Sequence, residues 1–227
     1  MTSRREFLTN PESNCRSSVY RVSFRASETR QPEPETIVIT PDPQFSEHAP
    51  AIERALAQAA AGIAPEEFRG LIGDPGETTL RMVMESLSAD SISVWIADVE
   101  DQFLTVTHSE PDPAFVGWTQ PLTEGLISLV YASEQPLCEN QVYLNARHSK
   151  RVDEAMKQVT AALVATPFYF GGKVQGVISC VQLKRSIDAP DPSGFTARGL
   201  NRVRRLSTVL ERLVNYRLLT RILNLEI

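Results

Sequence analysis

The residues with most capacity for chemistry are three cysteines, Cys15, Cys138 and Cys180. A thiolate is a strong nucleophile, but it forms readily only beside a cation or at a helix N-terminus. Neither accompanies Cys180, which lies in an apolar β-like run and reads as a small core residue. Three cysteines at wide spacing give no disulfide framework and no zinc pattern, and they suit a reducing cytosol. His148 stands in the polar segment Asn145-Ala-Arg-His-Ser-Lys-Arg151 and reads as a solvated loop residue. Asp153-Glu154 reads as a charged helix start, where carboxylates meet the positive end of the helix dipole. No nucleophile–base pair or paired carboxylates stand out, so the residues alone name no catalytic group, no metal site and no cofactor.

Any such group must be positioned by secondary structure, and the clearest signal for that is Leu163 to Leu183. Two β-rich runs flank Gly171-Gly172, a pair that tolerates the positive φ values of a tight hairpin turn. Pairing Phe170 with Lys173 sets Pro167 opposite Gly176 and places the proline at a bulge or a non-bonded ladder site. It also puts Val164, Phe168 and Val177 on one face, and Leu163, Tyr169, Val174 and Ile178 on the other. Apolar residues on both faces require cover on both faces, so the hairpin is central.

The remaining pattern is mixed. Residues 1–50 are polar, with β-like runs at 20–24 and 35–40. Alanine-rich Ala51 to Ala61 reads as a helix ended by Gly62. A short helix from Ala64-Pro65 to Leu71 follows, then a break at Asp74-Pro75-Gly76 and a helix over Glu77 to Leu87. Ser91 to Val99 alternates as a strand, with Phe103 to Thr107 as its hairpin partner across a turn at Glu100-Asp101. Its all-aliphatic face (Ile92, Val94, Ile96) packs on helices, which turns Ser93, Trp95 and Ala97 the other way. Short helices are expected over Thr123 to Ser133 and Asp153 to Val159, a short strand after Gln135-Pro136, a linker over Ser186 to Gly194, and a terminal helix over Phe195 to Leu223.

Bulk properties narrow the function. A formal net charge of −5 argues against general nucleic-acid binding. No apolar run approaches the roughly 20 residues of a membrane span, so membrane insertion is not expected. Ser3-Arg-Arg-Glu-Phe-Leu8 has the look of a twin-arginine export signal. Polar residues follow it, where an apolar stretch of about 7–15 residues is needed. A cytoplasmic location is the expectation.

From about Glu77 to Leu223 the order of elements resembles a GAF domain. The resemblance rests on the helix-to-strand junction Leu80 to Trp95, on Leu122-Thr-Glu-Gly-Leu-Ile-Ser-Leu-Val-Tyr-Ala-Ser-Glu-Gln-Pro136, on Val164-Ala-Thr-Pro167, and on Gly171-Gly-Lys-Val-Gln-Gly176-Val-Ile. It implies an α+β fold, a central antiparallel β-sheet with helices on one face and a loop-covered pocket on the other. It divides the chain into a partly disordered extension (1–50), a helical lead-in (51–75) and a domain over 76–225 that includes the 195–223 helix.

The family binds cyclic nucleotides, tetrapyrroles and other small molecules, or only dimerises, and each option has a signature. The cyclic-nucleotide motif pairs Asn-Lys, Phe and Asp-Glu, of which only Asp153-Glu154 is present. Bilin attachment wants Cys followed by His, but Cys138 precedes Glu139. Haem would need a lone histidine such as His148. The enzymatic branch, a free methionine sulfoxide reductase, uses pocket cysteines whose spacing Cys138 and Cys180 do not reproduce. The implied ligand-binding lining is Trp95, Phe115, Trp118, Tyr131, Cys138 and Tyr143, suited to a planar organic ligand. These side chains would equally fill a collapsed pocket.

The terminal helix is the second lead. Its apolar residues from Leu200 to Val214 occupy about half the circumference, opposite Arg198, Arg205 and Arg212. Leu218, Leu219, Ile222, Leu223 and Leu225 then point many ways and must pack against the 51–61 helix, a second copy or another protein. Leu206, Leu210, Leu213, Leu218 and Ile222 are the expected interface, to a homodimer partner or an effector protein. The expectation is a stand-alone, non-catalytic regulatory sensor or adaptor for a small-molecule ligand or a partner protein. The alternatives are a cysteine-based reductase and a purely structural interaction module.

Overall fold

The computed structural model describes residues 43–98, 100 and 102–225. The expectations for residues 1–42 lie outside them, as does part of the turn at Glu100-Asp101. Helix α1 (Pro43–Ala61) starts earlier than its alanine-rich core suggests and carries Pro50 within it. Helix α2 (Pro65–Ser86) is continuous except for a kink at Gly73 (φ 51°, ψ −170°). The kink immediately precedes Asp74-Pro75-Gly76, where proline has no N–H to continue the helical ladder.

Six strands follow, interleaved with three more helices: β1 (Ser91–Ala97), β2 (Phe103–Glu110), β3 (Thr119–Pro121), α3 (Gly125–Ser133), β4 (Leu137–Glu139), α4 (Arg151–Met156), β5 (Val159–Phe170), β6 (Lys173–Lys184) and α5 (Ala197–Ile222). They form one sheet in the order β3-β2-β1-β6-β5-β4, antiparallel at every neighbouring pair. This is an α+β fold with an antiparallel sheet at its centre.

The strand alternation divides the core in two. Ile92, Val94 and Ile96 of β1 face Phe68, Leu71 and Leu80 of α2 and Val203, Leu206, Leu210 and Val214 of α5. Phe68 meets Phe168 edge-on at 5.7 Å. Each such side chain removed from water stabilises the fold by about 1.5–3 kcal/mol. On the opposite face, Trp95, Leu104, Val106 and Val177 pack under Leu126, Ile127 and Val130 of α3. That face therefore carries a helix as well as loops.

The Gly171-Gly172 turn has φ of 62° and 81°, and Phe170 pairs with Lys173 as read from sequence. The next rungs need a correction. Pro167 faces Val177, and Gly176 faces Phe168, because a bulge at Gln175 inserts one residue after Val174. A slip of one residue exchanges the faces beyond it. Ile178 therefore joins Val164 and Phe168 on the helix side, while Val177 joins Leu163 on the other.

Thr196 caps α5 by accepting the Gly199 N–H, and the helix runs along β5 and against α2 and α1. Of the five residues expected at an interface, Leu206, Leu210 and Leu218 lie inside the helix-side core, and Leu213 and Ile222 are half-buried. The outward side of α5 instead exposes Val209 and Tyr216. No helix among the described residues is long and apolar enough to cross a membrane.

Candidate functional site

The sheet face opposite α2 and α5 closes over a cavity of about 200 Å³. Alternation along β1 points Ser91, Ser93 and Trp95 into it. Ser109 of β2 pairs with Ser93 on one side and Ser179 of β6 pairs with it on the other, so three hydroxyls cross the floor in a row. The Trp95 indole N–H donates to Ser179 Oγ at 3.2 Å. Ser93 and Ser109 are only 4 % and 7 % exposed. Neither hydroxyl has a hydrogen-bond partner among the described residues, and both open on the cavity. Hydroxyls that open on a cavity are free to bond to a group held there.

One wall is apolar. Trp95 stands edge-on to Phe115 at 5.6 Å, and Leu126 and Ile127 reach in from the first turn of α3. The other wall comes from the segment around α4, which folds back over the sheet. His148 Nε2 lies 3.0 Å from Asp153 Oδ2, and Asp153 also accepts the Thr160 N–H at 3.1 Å and the Thr160 hydroxyl at 2.6 Å. Burial pushes the Asp153 carboxyl up, but the His148 and Thr160 bonds together outweigh it and hold the group below its ordinary range. It is therefore a carboxylate at neutral pH. Asp90 and Asp112 also line the cavity, each fixed by one backbone N–H, from Leu183 (2.7 Å) and Ala114 (2.9 Å) respectively.

Of the six residues expected to line a pocket, Trp95 and Phe115 do so. Trp118 stacks behind Phe115 at 6.1 Å, and Tyr131 packs in the same core outside the cavity lining. Cys138 pairs with Val164, so it faces the helix side, with its thiol 3.6 Å from the Phe195 carbonyl oxygen. Tyr143 lies away from the cavity. Its hydroxyl donates to Asp191 at 2.9 Å beneath Lys184, whose Nζ sits 3.9 Å from the ring centroid. The lining is thus more polar than a planar aromatic slot. Its serines, His148 and Asp153 were missed in the sequence. Ser93 carried a signal, sharing the Trp95 face, but Ser109 and Ser179 join it only through the strand register.

A family model described as GAF domain matches residues 76–212. The chain belongs to the GAF domain family. Among solved structures it is similar to the GAF domain of a phosphoenolpyruvate-protein phosphotransferase from Coxiella burnetii, at 19% identity over 79% of this chain and 98% of that one, with a TM-score of 0.54. It is also similar to the GAF domain of the Acinetobacter phosphoenolpyruvate-protein phosphotransferase, at 16% identity over 75% and 94% of the two chains and a TM-score of 0.51. A third similar structure is the free methionine-R-sulfoxide reductase from Neisseria meningitidis in complex with its substrate, at 13% identity over 79% and 95% and a TM-score of 0.51. At these identities the likeness shows the fold. No curated protein matches the chain.

In this GAF domain neither described thiol is activated. Cys180 is sealed in the helix-side core, where burial pushes its pKa far up. Partial desolvation and then Glu139 raise the Cys138 thiol. Neither lines the cavity. Among the described residues, no three His, Cys, Asp or Glu side chains are placed to hold a metal ion.

Proposed function

We propose that this GAF domain is a non-catalytic, cytosolic sensor that binds a compact small molecule between the serine row and the segment around α4. The observation that carries this reading is the pair of almost fully buried residues Ser93 and Ser109, whose hydroxyls open on the cavity without a partner among the described residues. At about 200 Å³ the space suits a ligand smaller than the drug-sized molecules held by pockets of roughly 300–1,000 Å³. The raised thiol pKa values give the reductase alternative no support.

The output of such a sensor passes through α5. Because Leu206, Leu210 and Leu218 are committed to the core, a second copy or an effector would dock on the outward side, around Val209 and Tyr216. A ligand acts as a switch only if it binds two arrangements of that helix with different affinity. The same reading keeps residues 1–50 as an extension, 51–75 as a lead-in and 76–225 as the sensing domain.

Native mass spectrometry of the purified full chain, joined to thermal-shift screening, tests the proposal. A co-purifying mass or a ligand-dependent rise in Tm is expected, lost on filling the floor with Ser93→Leu. A bare chain mass with no ligand raising Tm would sink it.

A further inference from the structure

Resting on that reading of the cavity, we propose that its ligand is a compact organic cation, with an amine-type head at the strand-end side and a short apolar body against Trp95 and Phe115. The strand register sets this polarity. Asp90 precedes β1, Asp112 follows β2, and Asp153 holds Thr160, which pairs with Leu183 near the end of β6. Antiparallel pairing gathers these positions at one end of the sheet, since Ser91 faces Val181 and Ile92 faces Glu110. Three acidic residues therefore line one end of the cavity, with Asp90 at its exposed rim and Asp153 already bonded to His148 and Thr160. The serine row lies one alternation further along β1, and Trp95 another, at steps of about 7 Å.

The charges at that end are not balanced from within. Among the described residues, no lysine or arginine lines the cavity, and its one histidine is paired with Asp153. Arg151 of α4 turns outward to Glu124 at 3.8 Å. Asp90 and Asp112 each use one oxygen on a backbone N–H, leaving the other without a described partner. The hydroxyls of Ser93 and Ser109 add neutral acceptors beside them. An anionic ligand would face Asp90 and Asp112 with no lysine or arginine in the lining, whereas an ammonium group, a three-donor cation, meets their free carboxylate oxygens and the serine hydroxyls. No three His, Cys, Asp or Glu side chains among the described residues are placed to hold a metal ion, which favours an organic head over a metal.

Three probes of nearly one shape separate the charge states: 2-phenylethylamine, 2-phenylethanol and phenylacetate. Dissociation constants are measured on the full chain by ligand-observed NMR at low and high salt. The amine should bind at least about fivefold more tightly than the alcohol, with the difference shrinking at high salt and phenylacetate weakest. Asp90→Asn with Asp112→Asn should remove the advantage of the amine over the alcohol. Asp112→Asn alone, checked for an unaltered circular dichroism spectrum, should show part of that loss. Equal binding of amine and alcohol, or a preference for phenylacetate, overturns the cation inference and leaves the cavity reading in place. Binding of none of the three at millimolar concentration also overturns it, while a co-purifying ligand would still uphold the cavity.

Discussion

The side-chain amide of Asn140 clasps both backbone polar groups of Phe195: Oδ1 accepts its N–H at 2.7 Å and Nδ2 donates to its carbonyl at 3.0 Å. Phe195 stands directly before Thr196, the cap of α5. Asn140 stands directly before the segment that carries Val142, His148 and Asp153 into the cavity wall. One side chain thus ties the cover of the cavity to the start of the terminal helix. Gly194 makes room for it, with φ of 72° and space so tight that an added Cβ would lie 2.8 Å from Asn140.

Asn140→Ala removes both bonds and should lower stability by about 1–3 kcal/mol, read as a fall in the urea midpoint. Asn140→Asp keeps the acceptor for the Phe195 N–H but sets a carboxylate against the Phe195 carbonyl. It should recover less stability at pH 7 than at acid pH, where protonation restores a donor. Equal stability of wild type and Asn140→Ala would mean the clasp contributes nothing.

His148 and Asp153 predict a pH dependence. The Asp153 carboxyl titrates below its ordinary value of 3.8 in the fold, so the folded state binds protons less readily than the unfolded chain. Its contribution is therefore complete above that ordinary value and is lost as pH falls through the lower folded one. Asp153→Asn should destabilise by about 1–3 kcal/mol at pH 7 and by less in strong acid. His148→Ala should weaken the same acid limb. Urea titrations at pH 7, 4 and 2.5 compare them.

How much of this was legible in the sequence depended on the range of the interaction. Gly171-Gly172 announced the hairpin because turn geometry is local, and the alternation of Ile92, Val94 and Ile96 gave the correct faces of β1. The bulge at Gln175 carries no composition signal, so every face assignment beyond it was inverted. The cavity wall was less legible still. His148 and Asp153 are five positions apart in a segment without periodicity, and only its return to Thr160 brings them together. Cys138 and Tyr143 sit in the expected segment, but their directions follow from pairing with Val164 and from Asp191, both distant in sequence.

Two glycines of the hairpin should respond very differently to alanine. At Gly176 an added Cβ would come within 1.9 Å of the Trp95 carbonyl oxygen, a backbone atom held by the β1–β6 pairing. Gly176→Ala should cost about 3 kcal/mol or more and disturb the cavity floor. At Gly172 nothing lies within 4 Å, and only the φ of 81° opposes a side chain. Gly172→Ala should cost about 1 kcal/mol, and Gly172→Asn less. Chemical denaturation of the three variants checks the order.

The terminal helix predicts a division between its two sides. Leu210 is fully buried, so Leu210→Ala should lower stability by about 2–5 kcal/mol. Val209 and Tyr216 are more than half exposed (52 % and 57 %), so Val209→Ala and Tyr216→Ala should change it by no more than about 0.5 kcal/mol. If α5 docks a second copy, Tyr216→Glu should shift sedimentation toward the monomer with an unchanged unfolding curve at low concentration. A dimer insensitive to Tyr216→Glu and Val209→Glu would place the interface elsewhere.

His108 adds a second acid-sensitive point, on the helix side of β2. It is 4 % exposed, and its Nε2 has no partner among the described residues. The charged groups around it are Glu77 and Arg69 of α2, themselves joined at 2.7 Å, and Arg81 of α2 joined to Glu110 of β2 at 2.7 Å. Burial lowers its pKa from the ordinary 6.5, while Glu77 and Glu110 oppose that fall. The ring is thus folded in the neutral form. Its neutral state contributes stability that is complete above about pH 6.5 and is lost as pH falls from there through the lowered folded value. A proton on His108 would look for a carboxylate, and both candidates are already bound to arginines. His108→Leu removes the proton and the unpartnered nitrogen together. It should leave stability at pH 8 within about 1 kcal/mol of wild type, because a buried polar group without a partner is itself costly. It should also flatten the decline between pH 7 and pH 5. Urea midpoints across that window decide the matter: parallel curves for the two proteins would show that His108 does not titrate there.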